Sequence, residues 1–442
     1  MAITRKDILS VKDLLSQSLS IPNYQRPYKW QAAQVNQLLD DVIHHREKQS
    51  YRLGTVVLHQ EKQRTLSIVD GQQRLITLTL ICKLLGRQQQ FSAELLNHSF
   101  TYPVTVENLQ HNAALVLSRI QALSNADREE LLHFLLHKCE LIVVILNSLS
   151  EAFQFFDSQN ARGKSLEPHD LLKAFHLREM EQNSDVERAL CVARWENGVD
   201  PDPENTTSPP SVQVIMSNYL YRLRRWSQGQ PGQFFTRHNL DVFKGVNLNA
   251  HDYPFAASMR AIDYHVNHYN HDPVRQWDRQ HMSYPFQVGQ VLINGQRFFE
   301  YIQYYTDMYQ SLFIDDKPQI RELINTLNTY TGRSRRGDHY VRNLFFCSVM
   351  FYYDRFGDAH LEKAAMLCFL WSYRIRLLQQ RVVIESIDNV GREQGGVLQV
   401  IACALTPLAV LAFPIAPVEE HEIKGTHIDG LIEQFRQQGY VN

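Results

Sequence analysis

Cysteine is scarce and scattered. Cys82, Cys139, Cys191, Cys347, Cys368 and Cys403 are the only six in 442 residues, and no C-x-x-C pair occurs among them. That spacing argues against a disulfide frame or a zinc ribbon, and predicts reduced core thiols in a cytosolic protein. Charge of one sign is lacking as well. Lys plus Arg number 45 against 47 Asp plus Glu, a formal net charge of −2. Such a balance excludes a polycationic nucleic-acid coat and an acidic tail, so any nucleic-acid contact must be a local patch. No apolar run is comfortable as a membrane span. The most apolar stretch, 397–413, is interrupted by Gln399, Thr406 and Pro407 and reads as a buried helix. The start, MAITRKDILS, has no apolar h-region, so no signal peptide is expected. Internal repeats and low-complexity tails are missing too. What remains is a soluble, cytoplasmic chain of two or three domains, with no membrane partner expected.

What is present is rich in arginine, 32 Arg against 13 Lys, which leans towards planar, bidentate recognition of phosphate or carboxylate. The first 185 residues alternate helical and strand-like segments. Residues 7–17 carry Ile8, Val11, Leu14 and Leu15 at helical spacing, and 32–46 reads as another helix. Residues 53–59 and 66–69 are β-branched runs of strand length, joined as a probable hairpin, and LIVVIL at 141–146 is a third strand. Helical patterns follow at 151–158 and 168–181. Beyond about 186 strand signals almost vanish. The Pro-, Asp- and Ser-rich stretch around 197–211 reads as a linker or long loop. Helical patterns then recur at 212–226, 254–269, 297–312, 317–330, 338–355, 359–380 and 395–412. The expected organisation is an α+β chain: an α/β head over 1–185, a linker or long loop over 186–211, and a helical domain over 212–442.

The chemistry concentrates at one turn. Ser67-Ile68-Val69 ends a strand, Asp70-Gly71-Gln72-Gln73-Arg74 turns, and LITLTLICKLL continues as a helix. A helix start offers amides and a positive dipole end to an anion. Gly71 permits close backbone approach. Gln72 and Gln73 can donate amide hydrogens, Arg74 supplies a bidentate fork for phosphate, and Asp70 can cap, hold a metal or polarise water. A well-capped helix with one surface arginine would have the same spacing. Upstream, Tyr24, Tyr28 and Trp30 surround Gln25 and Arg26 in SIPNYQRPYKW. Arg26 is placed to reach a nucleotide or a DNA backbone. The aromatics either stack on a base or anchor the segment to the sheet.

Four blocks, IPNYQRPYKW, LGTVVL, IVDGQQRLITL and FDSQNARGKSLEPHDLLKAF, occur in this order over roughly residues 8–185. Together they resemble the N-terminal domain of the GmrSD-type modification-dependent restriction enzymes, part of the larger DGQQR family with a core similar to ParB and sulfiredoxin. The resemblance implies a ParB-like fold, binding and hydrolysis of a nucleoside triphosphate with Mg²⁺, and service in DNA restriction or anti-phage defence. It implies that Asp70, Gly71, Gln72, Gln73 and Arg74 line the triphosphate site. Asn160, Arg162, Gly163 and Lys164 would form a polar nucleotide-binding loop capping the 168–181 helix, with Asn160 and Arg162 as the second wall of the site, and Asp70, Gln73 and Arg74 would carry the chemistry. An ordinary helix–helix connection, with Asp170 and Lys173 as a surface ion pair, would have the same sequence. The Gly163-Lys164-Ser165 triplet is not a P-loop, because Ser158 stands where that pattern needs glycine.

Elsewhere the signals are thinner. Two arginine clusters interleave with aromatics: YLYRLRRW, with Arg222, Arg224 and Arg225, and GRSRRGDHYVRN, with Arg333, Arg335 and Arg336. Each suits contact with a DNA backbone or, equally, a solvated helix face. His265, His268 and His271 read as a solvated helix end rather than metal ligands. His421 and His427 do not match the His-x-x-Pro start of the His-Asn-His nuclease segment that DNA-cutting GmrSD-type proteins carry. The expectation is therefore a nucleotide-dependent sensor or regulator that works with DNA and a separate nuclease subunit. Its rival is a non-catalytic nucleic-acid or protein-binding adaptor of the same fold.

Overall fold

The computed structural model describes residues 3–22, 25, 27–60, 65–86, 94–96, 103–147, 167–180, 183–199, 208–278, 280–315 and 317–441. By its internal contacts the chain divides into two compact units. The first holds residues 1–166 and 180–192, the second 167–179 and 193–442.

The first unit is built on a five-stranded mixed sheet. In chain order its elements are β1 (Ile3–Ser10), α1 (Val11–Leu15), β2 (Leu19–Ser20), α2 (Ala32–His44), β3 (Tyr51–Gln60), β4 (Leu66–Asp70), α3 (Gln72–Leu85), α4 (Pro103–Gln121), α5 (Asn125–His137) and β5 (Cys139–Leu146). The strands lie in the order β1-β5-β3-β4-β2. β3 and β4 form the expected antiparallel pair, with Ile68 opposite Leu58. β5 lies parallel to β3 and antiparallel to β1. Its near-continuous apolar run is what a central strand with little exposed face requires. α3 carries buried residues from Gln72 to Cys82 almost without interruption, the mark of a helix enclosed on most sides rather than lying on a surface. Leu75, Ile76, Leu78 and Ile81 join Val56, Leu58, Ile68, Val143 and Ile145 in one core with the apolar faces of α1, α2 and α5.

One expectation fails at the N-terminus. Residues 7–17 are not one helix: up to Ser10 they are edge strand, with Asp7 opposite Val143 and Ile8 opposite Ile142. The helical spacing belongs only to Val11, Leu14 and Leu15, one turn capped by the Ser10 hydroxyl, which accepts from the Asp13 N–H at 3.1 Å. The apolar edge of β5 needs a partner, and pairing overrides a one-turn helical pattern.

The second unit is helical. Its longer members include Pro168–Arg178, Ala256–His271, Gln296–Phe313, Arg336–Phe356 and Leu361–Leu378, and their apolar stripes are heavily aromatic. Residues 212–226 form one continuous helix whose middle, Ile215–Leu220, is wound as a π-helix. The first part of the stretch read as linker is occupied by the helix Asp185–Val199. The stretch 397–413 is not a single buried helix. It breaks into Val397–Cys403 and Pro407–Leu411, with Leu405 and Leu408 exposed. No helix among the described residues is long and apolar enough to cross a membrane. All six cysteines are free and five are buried; Cys403 is exposed.

The helix Pro168–Arg178 is locked into this unit by a fully buried histidine. The His176 ring stacks on Phe298 at 3.7 Å between centroids. Its Nδ1 accepts from the Gly295 N–H at 3.1 Å, and its Nε2 lies 3.0 Å from the Phe243 carbonyl. Those two partners require the neutral ring with hydrogen on Nε2. Burial accordingly pulls its pKa down to about 3. A histidine that folds neutral keeps its full contribution above the unfolded pKa near 6.5, and loses it as pH falls from there towards 3. The stability gap between the natural chain and a His176→Gln variant, read from denaturant midpoints, should therefore narrow below pH 6.5. The expected slope is about 1.4 kcal/mol per pH unit. A gap constant down to pH 5 would mean the ring titrates normally.

Candidate functional site

The DGQQR turn sits where β4 hands over to α3. Gly71 adopts φ +92, and a Cβ there would come within 2.9 Å of Val56 Cγ2. The left-handed conformation and the close approach together require glycine. Asp70 turns its carboxylate back on the turn, accepting the Gly71 N–H at 2.7 Å. α3 then begins with its first-turn amides and its positive dipole end at residues 72–74.

Arg74 lies against β3. Gly54, in the LGTVVL block, stands at a register shift in the β3–β5 pairing with φ +129. A Cβ at Gly54 would lie 2.7 Å from Arg74 Nη1. Gly54 thus clears the space that the guanidinium fills, while Gly71 lets the turn close on Val56. Arg74 is half-buried, and among the described residues its one hydrogen bond is from Nη1 to the Thr55 carbonyl at 3.3 Å. Burial draws its pKa down, while the charge of Asp70 pushes it back up. A guanidinium has five N–H donors in a fixed fork. Among the described residues only one of them has a protein acceptor.

The glutamines expected to face a ligand are turned into the fold. Gln73 is buried: its Oε1 accepts from the backbone N–H of Lys29 at 2.7 Å and of Trp30 at 3.3 Å, and its Nε2 donates to the Pro27 carbonyl at 3.0 Å. Gln25 Nε2 donates to the carbonyls of Ile68 and Val69, at 2.8 and 2.9 Å. Both amides hold the IPNYQRPYKW block to the strand–turn–helix: both ends of the Gln73 amide are engaged by backbone, and the Gln25 NH2 group by two carbonyls. Gln72 is buried as well. Tyr28 is an anchor and not a stacking platform. It is fully buried, its hydroxyl lies 2.8 Å from Thr77 Oγ1 and accepts from Asn112 Nδ2 at 3.1 Å. Asn112 also donates to the Trp30 carbonyl at 2.7 Å, and Asn108 to the Tyr28 carbonyl at 3.0 Å. These α4 side chains had no sequence signal of their own. Arg26, Asn160, Arg162, Gly163 and Lys164 lie outside the described residues, as does the helical pattern at 151–158.

The arginine clusters of the helical unit are mostly structural. Arg222 is buried. Arg224 donates to the carbonyls of Val242, Val288 and Gln290, and Arg225 to the Pro231 carbonyl and Gln230 Oε1. Arg335 binds the buried Asp338 and the carbonyls of Gly332 and Thr426. Only Arg333 and Arg336 are exposed, the first bonded to the Tyr330 carbonyl and the second to the Tyr340 hydroxyl. A sequence cannot tell a basic surface stripe from guanidiniums that tie loop carbonyls together, because both want arginine near aromatics. Lys173 pairs with Glu196 at 2.6 Å and not with Asp170. His265, His268 and His271 are exposed, and no three His, Cys, Asp or Glu side chains among the described residues come together to hold a metal.

Residues 11–177 match the model of the GmrSD restriction endonuclease N-terminal domain. Residues 187–430, more than half of the chain, match the model of a family of unknown function, DUF7834. This chain belongs to the DUF7834 family and begins with a GmrSD-type N-terminal domain. That domain associates the DUF7834 member with restriction and defence systems. No curated protein matches it. In its sequence the GmrSD-type match ends at residue 177, inside the helix Pro168–Arg178, which packs with the helical unit.

Filling the cleared space should displace Arg74. A Gly54→Ala variant combines a strained φ with a 2.7 Å encounter, and is expected to cost about 1–3 kcal/mol of stability. Thermal unfolding checks it; a midpoint within a degree of the natural chain would show that the guanidinium moves aside freely.

Proposed function

We propose that the DGQQR turn binds the phosphates of a nucleoside triphosphate, and that the chain is a nucleotide-dependent sensor or regulator within a restriction or anti-phage system. The observation that carries this reading is Arg74: a half-buried guanidinium beside the start of α3, with one 3.3 Å hydrogen bond among the described residues. An anion approaching over Gly71 would meet the Arg74 fork and the helix N-terminus together, and both attractions strengthen where water is partly excluded. The sequence match to the GmrSD-type domain supports the same reading.

The residues support binding more directly than turnover. Asp70 is the one acidic group of the DGQQR turn, and it is the candidate to orient a water; Gln73 is held by backbone. Charge neutralisation by Arg74 would do most of the work in a slow hydrolysis. A preformed protein-held metal site does not fit the described residues, so Mg²⁺ would arrive on the phosphates of the nucleotide. The committed glutamine also favours a second reading, an adaptor that binds nucleotide without consuming it. DNA and a separate nuclease subunit are the proposed partners of the helical unit, with Arg333 and Arg336 as the exposed basic side chains of the expected clusters.

Calorimetry with ATP or GTP and Mg²⁺ tests the site. Arg74→Ala should weaken binding by about 1.5–3 kcal/mol, the scale of a charge-assisted hydrogen bond. Absence of binding to the natural chain at millimolar nucleotide would end the proposal. Phosphate release with and without DNA separates the hydrolysing sensor from the adaptor.

A further inference from the structure

Arg222 is 4% exposed, in the helix 212–226 of the second unit. Its Nε and Nη1 are sealed from solvent, and among the described residues neither has a hydrogen-bond partner and no carboxylate lies within ion-pair distance. Its electrostatic neighbours are Cys347, Tyr219, Tyr340 and Asp388. Asp388, the natural counter-ion, is otherwise engaged. Its Oδ1 accepts from Trp226 Nε1 at 2.8 Å and from the Gly232 N–H at 2.6 Å, and its Oδ2 lies 3.4 Å from Arg392 Nε. The Trp226 ring, 5.7 Å from the guanidinium, offers a cation–π contact but no hydrogen-bond acceptor. A buried cation without an acceptor is among the costliest arrangements a fold can keep.

Two further features mark the place. The turn before Arg222 is the π-helix Ile215–Leu220, a widened winding found disproportionately at functional sites. The Arg336–Phe356 helix packs on the helix 212–226 about one turn before Arg222, where the Tyr219 hydroxyl donates to Asn343 Oδ1 at 3.2 Å and Cys347 Sγ donates to the Asn218 carbonyl at 3.5 Å. About one turn before Asn343, Tyr340 accepts from exposed Arg336 Nε at 2.5 Å, with the Arg336 guanidinium 5.7 Å from its ring. The two arginine clusters, more than a hundred residues apart in sequence, are thus carried on two packed helices. Arg336, exposed, and Tyr340, half-buried, sit one helical turn apart at the start of the Arg336–Phe356 helix.

We infer that Arg222, with Arg336 and Tyr340, forms an anion site that takes a terminal phosphate monoester rather than an internal phosphodiester. A buried guanidinium cannot lie along a polymer backbone, but a protruding dianionic group can reach it once the Arg336–Tyr340 pair turns aside. The site is independent of the DGQQR turn, and either can fail without the other.

The test follows thermal unfolding and tryptophan fluorescence of the full chain, in natural and Arg74→Ala backgrounds. The probes are inorganic phosphate, a deoxynucleoside 5′-monophosphate, and one oligonucleotide bearing either a 5′-phosphate or a 5′-hydroxyl. Phosphate-bearing probes should raise the midpoint saturably in both backgrounds, and the 5′-hydroxyl oligonucleotide should not. A response to the 5′-phosphorylated oligonucleotide identifies a DNA end as the source; a response confined to the small probes identifies a free phosphate compound. Arg222→Met should abolish the response, and Arg336→Ala, at an exposed position, should weaken it about tenfold. The inference is overturned if the natural chain shows no saturable response below about 10 mM phosphate, a limit already weaker than most specific sites, or if the response survives Arg222→Met. Should Arg222→Met fail to fold, an unchanged affinity in Arg336→Ala overturns it equally.

Discussion

The N-terminal unit depends on one amide. Gln73 sits in the first turn of α3 and uses its side chain as a backbone substitute, taking two N–H groups and giving one to the passing segment 27–30. An extended segment with prolines at 22 and 27 has no ladder of its own to satisfy those groups, and buried backbone left unpaired is costly. The clamp lets Tyr28 drop into the core against Thr77 and Asn112. It also ties the first sequence block to the helix that carries Arg74. Removing the amide would leave several buried groups without partners at once, which is why this contact outweighs its neighbours.

Around that clamp the site is shaped by omission. Gly71 and Gly54 are places where a side chain would collide with Val56 or with the Arg74 guanidinium. The sheet register shifts beside Gly54, and again between Val57 and Leu58 opposite Asp70 and Ile68, so both irregularities of β3 flank the turn. A regular β3 would carry side chains where Arg74 now lies. The cost is local strain in a strand that is otherwise well paired. In return, an arginine is held half out of water with one protein acceptor among the described residues.

The helical unit uses arginine differently. Arg224 and Arg335 gather loop carbonyls and buried carboxylates, acting as multi-point staples where a lysine would reach one acceptor. Arg376 and Arg335 both approach Asp338, which also accepts from the Tyr330 hydroxyl at 2.9 Å. Arg222 differs from Arg224 and Arg335: no acceptor among the described residues meets its Nε or Nη1. Composition alone showed an arginine-rich chain and suggested phosphate recognition; much of that arginine serves architecture.

Sequence by itself determined the elements whose patterns are long and locally consistent. The β3–β4 hairpin, the apolar β5, the strand–DGQQR–helix order and most helices beyond residue 212 could be read directly, because each repeats its period over many residues. The same blocks identified the GmrSD-type domain. Tertiary structure decided the rest. Whether residues 7–10 are strand or helix depends on the open edge of β5, which no local window contains. Whether a glutamine faces ligand or backbone, and whether an arginine is solvated or buried, depends on partners far along the chain, 46 to 162 residues away in three such pairs. Gln73 with Pro27, Tyr28 with Asn112 and Trp226 with Asp388 are such pairs. A side chain's chemistry is written in the sequence, but the acceptor that claims it is chosen only when the chain closes on itself.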